Sequence, residues 1–240
     1  GDINTLQVKN LAIYGKAVNG SGSGIYLMGE HDSANVSDST KIEVTAEYDA
    51  SGIVIGGSDT ASSFGTTTID VTSKTENNDV YGIKQFGAQT DYADLIINAQ
   101  SDGADIFGIS LVGNAGAGIV EVAGDLTIKA NGNGSYVKGV EVSALGKLSV
   151  SGKTDIDVSS DNDQAIMYGV YAQTGSKLDF ADDVQITIAT HDGDSRARMY
   201  GIYSRTAAEV AFTKGLTIKN ANIGEAVVAE GGNIKINTSG

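Results

Sequence analysis

The chain has 240 residues, enough to bury a core, with 32 glycines and no proline, cysteine or tryptophan. Without cysteine there is no disulfide, zinc–thiolate site or thiol nucleophile. The formal charge of −14, from 30 acidic and 16 basic residues, argues against nucleic acid and against an anionic membrane surface, since both demand a basic footprint.

From the N-terminus, Leu6-Gln7-Val8 and Leu11-Ala12-Ile13 alternate apolar with polar residues. Gly24-Ile25 then opens a motif, glycine followed by Ile or Val. It returns at Gly52-Ile53, Gly82-Ile83, Gly108-Ile109, Gly139-Val140, Gly169-Val170 and Gly201-Ile202, and more weakly at Ala226-Val227. The spacings are 28, 30, 26, 31, 30 and 32 residues. Behind the motif come alternating pairs such as Leu148-Ser149-Val150, Leu178-Asp179-Phe180, Val210-Ala211-Phe212 and Ile234-Lys235-Ile236. A further alternating run completes each unit: Ile42-Glu43-Val44, Ile69-Asp70-Val71, Leu126-Thr127-Ile128, Ile156-Asp157-Val158, Ile186-Thr187-Ile188 and Leu216-Thr217-Ile218.

Alternation at period two means strand, and no segment carries a helical period. A unit of about 30 residues with three short strands cannot bury its apolar faces alone, so the units must stack, each strand pairing in parallel with its counterpart one coil away. The expected fold is all-β, a parallel β-helix of about eight coils, as a single domain over 1–240. Ile25, Ile53, Ile83, Ile109, Val140, Val170 and Ile202 should form one internal ladder. The absence of proline fits, because every central strand position needs its N–H. GDINTLQVKN opens without a methionine or signal-like segment, and the chain closes on INTSG, so it reads as a segment of a longer protein. No run of 18 apolar residues occurs, so no membrane-spanning helix is expected.

Between the strands, two stretches after the motif look like long neighbouring loops, Gly29–Thr40 (GEHDSANVSDST) and Gly56–Thr67 (GGSDTASSFGTT). Later corners shrink to QTGS and RTAA. Candidate contact residues on those loops are Glu30, His31, Asp32, Asp59 and Phe64. A second row of loops follows the last strand of each unit (KTENND, NGNGSY, SSDNDQAIM, THDGDSRARM), with Arg196, Arg198 and Arg205 gathering basic charge there. Tyr26, Tyr171 and Tyr203 follow the motif and should point outward, opposite Val170 and Ile202, where they either pack on the sheet or meet sugars and protein side chains.

The phrase MYGVYAQTGSKLDF (167–180) returns as MYGIYSRTAAEVAF (199–212). This form, followed by a Leu-Thr-Ile-Lys strand and a polar Asn/Asp/Gly loop, resembles the passenger-domain repeats of Gram-negative autotransporter (type V secretion) adhesins. The resemblance covers essentially the whole chain. It implies a right-handed coil, display outside the cell beyond an outer-membrane barrel, and attachment, aggregation or biofilm formation. Partners would be a host or bacterial surface protein or glycan, or further copies of the chain. A display stalk is the alternative.

Signs of chemistry are sparse. His31 and His191 lie in loops about six coils apart, and no cofactor or metal is expected. Gly193-Asp194-Ser195 resembles the Gly-Asp-Ser around the nucleophile of serine-protease autotransporters, but Arg196-Ala197 follows and no partner His/Asp pair is evident. Asp157, Asp161, Asp163, Asp182 and Asp183 match neither an EF-hand nor a calcium nonapeptide and read as solvated corners. A polysaccharide-processing β-helix would need clustered carboxylates, whereas the acids here are scattered. The chain therefore reads as a non-enzyme.

Overall fold

In the computed structural model, residues 5–57, 61–75, 78–113, 118–190, 196–220 and 224–237 are described. Asp59, His191 and Gly193-Asp194-Ser195 lie outside them. The chain begins with long strands: β1 (Thr5–Ala17), β2 (Gly22–Leu27), β3 (Ser33–Ala46), β4 (Ala50–Ile55), β5 (Ser62–Ser73) and β6 (Asp79–Gln85). Thereafter each turn contributes three short strands. These are β7 (Gln89–Tyr92), β8 (Leu95–Ser101) and β9 (Asp105–Val112), then β10 (Ile119–Val122), β11 (Leu126–Gly132) and β12 (Tyr136–Ser143). Two further turns give β13 (Lys147–Val150), β14 (Thr154–Ser160) and β15 (Ile166–Ala172), then β16 (Lys177–Phe180), β17 (Val184–Thr190) and β18 (Arg198–Arg205). Last come β19 (Glu209–Phe212), β20 (Leu216–Asn220), β21 (Gly224–Glu230) and β22 (Asn233–Ile236).

Among the described residues the named strands all pair in parallel, with one isolated antiparallel bridge from Arg205 to Gly231, and the stack is a β-solenoid. One sheet of eight strands, β2-β4-β6-β9-β12-β15-β18-β21, forms the first face. The other fourteen strands form a sheet that bends back on itself, because β5 pairs with both β7 and β8. Its two arms are the second and third faces. Eight stacked strands on the first face close about seven full turns, slightly fewer than the eight coils expected.

The ladders follow from parallel register. Ile25, Ile53, Ile83, Ile109, Val140, Val170 and Ile202 pair in succession and are all buried. On the third face the inward column is isoleucine throughout, from Ile13 through Ile42, Ile69, Ile97, Ile128, Ile156 and Ile186 to Ile218. On the second face the inward column mixes valine with two aromatic pairs, Phe64 on Tyr92 at 5.3 Å and Phe180 on Phe212 at 5.2 Å.

Two sequence expectations fail here. Residues 33–40 and 62–67 are not loop: they belong to β3 and β5, in which the second and third strands of a coil fuse. A register shift between Val36 and Ser39 replaces the corner. Ser37, Asp38 and Ser39 lie on the outer side of that strand, where polar residues are as much at home as in a loop. Phe64 therefore cannot be a contact residue. It faces the core, 3 % exposed, stacked on Tyr92.

Where the fused strands give way to separate ones, Gln85 occupies an inward position held elsewhere by Ile55 or Leu111. It is fully buried and satisfied. Its Nε2 donates to the carbonyls of Gly87, Ala88 and Ile119, and its Oε1 accepts from Thr90 Oγ1. A buried amide is tolerable when its groups find such partners.

Candidate functional site

The motif glycine creates the site. Strict alternation would put Tyr168 on the same side as Val170. Instead Met167, Val170 and Ala172 are fully buried, while Tyr168 and Tyr171 both face outward. Gly169 makes up the difference by pressing the backbone against the third face. A Cβ there would lie 2.4 Å from Ile186 Cγ2 and 2.7 Å from the carbonyl oxygen of Gly201. The same clash, with the third-face isoleucine and the next coil's carbonyl, recurs at Gly24, Gly52, Gly82, Gly108, Gly139 and Gly201. Only glycine lets the backbone come this close.

The first face consequently carries two outward columns. One runs through Tyr81, Phe107, Lys138, Tyr168 and Tyr200, the other through Lys84, Ser110, Glu141, Tyr171 and Tyr203. Tyr81 stacks on Phe107 at 4.9 Å, with Lys84 Nζ 4.0 Å from the Tyr81 centroid. Tyr168 stacks on Tyr200 at 5.0 Å and Tyr171 on Tyr203 at 5.7 Å, and the two columns meet at 4.8 and 5.2 Å. Offset and edge-to-face contacts of this kind add about 0.5–1.5 kcal/mol each beyond buried area.

Lys138 joins the two aromatic groups. Its ammonium lies 4.7–5.9 Å from the rings of Phe107, Tyr136, Tyr168 and Tyr171 and 2.7 Å from Glu141 Oε1. The two side chains are only 12 % and 13 % exposed, so this ion pair is better shielded from water than an ordinary surface pair. The phenols are tied at their rims: Tyr81 donates to Asp79, Tyr171 to Gln173 and Tyr203 to Glu230. Burial pushes the Tyr81 and Tyr168 phenols up. The hydrogen bond to Glu230 raises Tyr203 to about 12. All three are neutral near pH 7, and the face offers flat rings, phenolic hydroxyls and a neutralised ion pair.

The remaining candidates are placed as follows. Tyr26 lies in the second outward column, 63 % exposed. Glu30 is exposed and His31 half-buried in the 29–32 turn, while Asp32 closes that turn by accepting the Gly29 N–H at 2.9 Å. Arg196 and Arg198 sit at the entry to β18 and Arg205 at its far end, so the three do not form one row. Seven residue steps along β18 separate Arg198 from Arg205, roughly 23 Å at about 3.3 Å per step.

Sequence reading found Tyr171 and Tyr203 but missed Tyr168, Tyr200, Lys138 and Glu141. The one available signal was the repeated Tyr-Gly-aliphatic-Tyr, whose first tyrosine changes sides because of the glycine.

The acidic residues have structural work. Asp94 and Asp125 each accept the backbone N–H at the same corner one coil on, from Asp125 at 3.0 Å and Lys153 at 2.8 Å, and Asp183 does so from Gly215 at 3.1 Å. Another corner repeats the device, with Asp49 accepting from Asp79, Asp105 from Tyr136 and Asn133 from Asp161. Asp182 holds the Lys214 ammonium at 2.8 Å, which keeps its carboxyl below the usual range. A groove of about 560 Å³ runs past Asp125, Lys153, Asp155 and Asp183, yet two of its carboxylates are committed to these backbone bonds. Among the described residues no group of three His, Asp or Glu is arranged to hold a metal ion.

No protein-family model, no curated protein and no solved structure matches the chain.

Proposed function

We propose that the chain is a non-catalytic contact module of a bacterial surface protein, an adhesin passenger segment that attaches to host cells or to other bacterial cells. The observation that carries this reading is the outward aromatic face: four tyrosines in two adjacent coils, next to a shielded Lys–Glu pair and continuous with Tyr81 and Phe107. Tyrosine is favoured in protein interfaces because it brings a large contact area and a hydroxyl with little conformational freedom to lose. Mounted on stacked coils, these rings are already ordered before any partner arrives, which lowers the entropic cost of binding. In this reading the chain works outside the cell, carried by an outer-membrane barrel, as the resemblance to autotransporter passenger repeats implies. The partner is a surface protein or glycan.

A stalk that only displays other parts of the protein is the second reading. One observation favours it: the four rings are only half-exposed, so much of their surface is already spent on each other.

Labelled chain should bind cultured epithelial cells or bacteria. Replacing Tyr168, Tyr171, Tyr200 and Tyr203 together by threonine, which suits a strand, should abolish binding while the β-sheet circular dichroism persists. If the parent chain is folded and binds no cell, the stalk reading replaces the adhesive one.

A further inference from the structure

We propose that the cavity at the entry to β18 binds an acidic sugar, a pyranose bearing a carboxylate or sulfate. The inference deepens the contact-module reading and rests on it. The chain contains three arginines, and all of them lie between positions 196 and 205. Every other cationic side chain, the two histidines aside, is lysine. Two of the three, Arg196 and Arg198, are exposed and line a cavity of about 460 Å³ with Met199, Tyr200 and Glu225.

Residue type matters here. Lysine suffices for solubility and for the loose pairs found elsewhere on the surface. Guanidinium is a planar fork that grips a carboxylate or sulfate through two parallel hydrogen bonds. Among the residues that line the cavity, two guanidinium groups stand beside one ring and outnumber the one carboxylate, Glu225, in a molecule of net charge −14.

Tyr200 supplies the second element. One side of its ring stacks on Tyr168. In the next coil its column continues with Glu225, so the side away from Tyr168 borders the cavity. A pyranose has an apolar C–H face, a rim of hydroxyl donors and, when acidic, one anionic substituent. The C–H face suits Tyr200, the hydroxyls suit the Glu225 carboxylate as acceptor, and the anion suits the two guanidinium groups.

Alternative anions fit less well. Nucleic acid brings a long run of phosphates against an acidic molecule. An acidic peptide brings further carboxylates against Glu225 and few donors to satisfy it. A neutral sugar leaves both guanidinium groups unmatched.

The test is calorimetric titration of the 240-residue chain with sialyllactose, a sulfated disaccharide, lactose and a tetraglutamate peptide. The acidic sugars should bind, and lactose should bind about tenfold more weakly or not at all. Arg196→Gln with Arg198→Gln should weaken the acidic sugars by about tenfold or more, the loss expected for a charge-assisted contact. Tyr200→Leu should also weaken them. Glu225→Gln should tighten them, because it removes a negative charge and keeps an acceptor. Arg196 and Arg198 are exposed, so melting curves of their variants should match the parent, whereas Tyr200→Leu gives up the stacks on Tyr168 and Tyr203 and is compared with the parent well below its own melting temperature.

No binding of either acidic sugar, equal binding of lactose, equal binding of the peptide, or indifference to the paired arginine substitution would each overturn the proposal. Failure of the two ideas can be told apart. A chain that holds cells yet binds no acidic sugar sinks this site alone. One that binds acidic sugars yet holds no cell sinks the adhesive reading.

Discussion

Tyr92 shows how one atom can work against the fold around it. Its ring is wholly inside, stacked on Phe64, and its hydroxyl is buried without a hydrogen-bond partner. A lone buried hydroxyl costs about 1–3 kcal/mol, whereas the ring contributes its area and its stack in full. Tyr92→Phe keeps the second contribution and removes the first, so it should raise the unfolding free energy by about 1–2 kcal/mol, read from urea titration. Burial also pushes the phenol up, which gives the sign of a pH effect. Below about pH 10, where a free tyrosine is neutral, folded and unfolded states hold the same proton. Above it the unfolded chain releases that proton and the folded chain keeps it, so stability falls as pH rises. The Phe variant should lose less stability between pH 9 and 11. A variant that is less stable than the parent at pH 7 would mean that the hydroxyl has a partner in solution.

At the scale of the strand, the motif glycine and the third-face isoleucine act as a pair. Gly169→Ala would set a methyl 2.4 Å from Ile186 Cγ2 and 2.7 Å from the Gly201 carbonyl oxygen. The side chain can yield, but the carbonyl belongs to a parallel ladder and cannot. Overpacking of this kind costs about 1–3 kcal/mol, so the urea midpoint should fall clearly. Adding Ile186→Ala should not restore it, since the carbonyl remains and a cavity is created. Gly20→Ala is the control: its added methyl meets nothing within 4 Å, and stability should hold or rise slightly. An unchanged Gly169→Ala midpoint would mean that the coils are less tightly stacked at this position. The same pair marks the boundary of what the sequence discloses. Stacked columns repeat a β-branched residue after glycine at intervals of 26 to 32 residues, so Ile25 to Ile202 and the coil itself were legible. The kink at the glycine has no periodic trace, and Tyr168 reads as inward. Likewise Ser37-Asp38-Ser39 has one composition whether it crosses a corner or covers the outside of β3. Polarity reports exposure there, and both states are exposed. Phe64 stands alone among polar neighbours, so nothing local marks it as core until β5 is seen to pair with Tyr92 of β7.

For the molecule as a whole, in-register stacking sets a rule that suits rings and aliphatic chains but not charges. Seven steps at about 4.8 Å give a stack roughly 34 Å tall, and a residue's nearest outward neighbour is its counterpart one step away. Like charges so placed repel. One outward column of the third face runs Glu43, Asp70, Asn98, Lys129, Asp157, Thr187 and Lys219: from Asp70 onward no two like charges are neighbours, while the one like pair, Glu43 beside Asp70, has Lys41 on Glu43. Asn98 donates to Asp70 at 2.6 Å, where a second aspartate would oppose it. The columns cannot all be neutralised in this way, because the chain carries 30 acids against 16 bases. Lys9–Asp38, Lys41–Glu43, Lys177–Asp179 and Lys214–Asp182 offset part of the excess. They are exposed pairs, screened by water and salt, and add little to stability. Salt weakens attraction and repulsion alike, shortening the screening length from about 30 Å at 0.01 M to about 10 Å at 0.1 M. Repulsion summed over a charge of −14 acts at long range and is screened first, whereas close pairs with Nζ–O distances of 2.5–3.6 Å are screened last. Net repulsion therefore wins, and the melting temperature should rise as sodium chloride goes from 10 to about 150 mM, a range where screening changes most. Sodium chloride is preferred to sulfate, which strengthens burial by its own exclusion from the surface. A fall in melting temperature over that range would show that the close pairs and the Asp–backbone corner bonds outweigh the net charge, and that the acidic surface stabilises the stack.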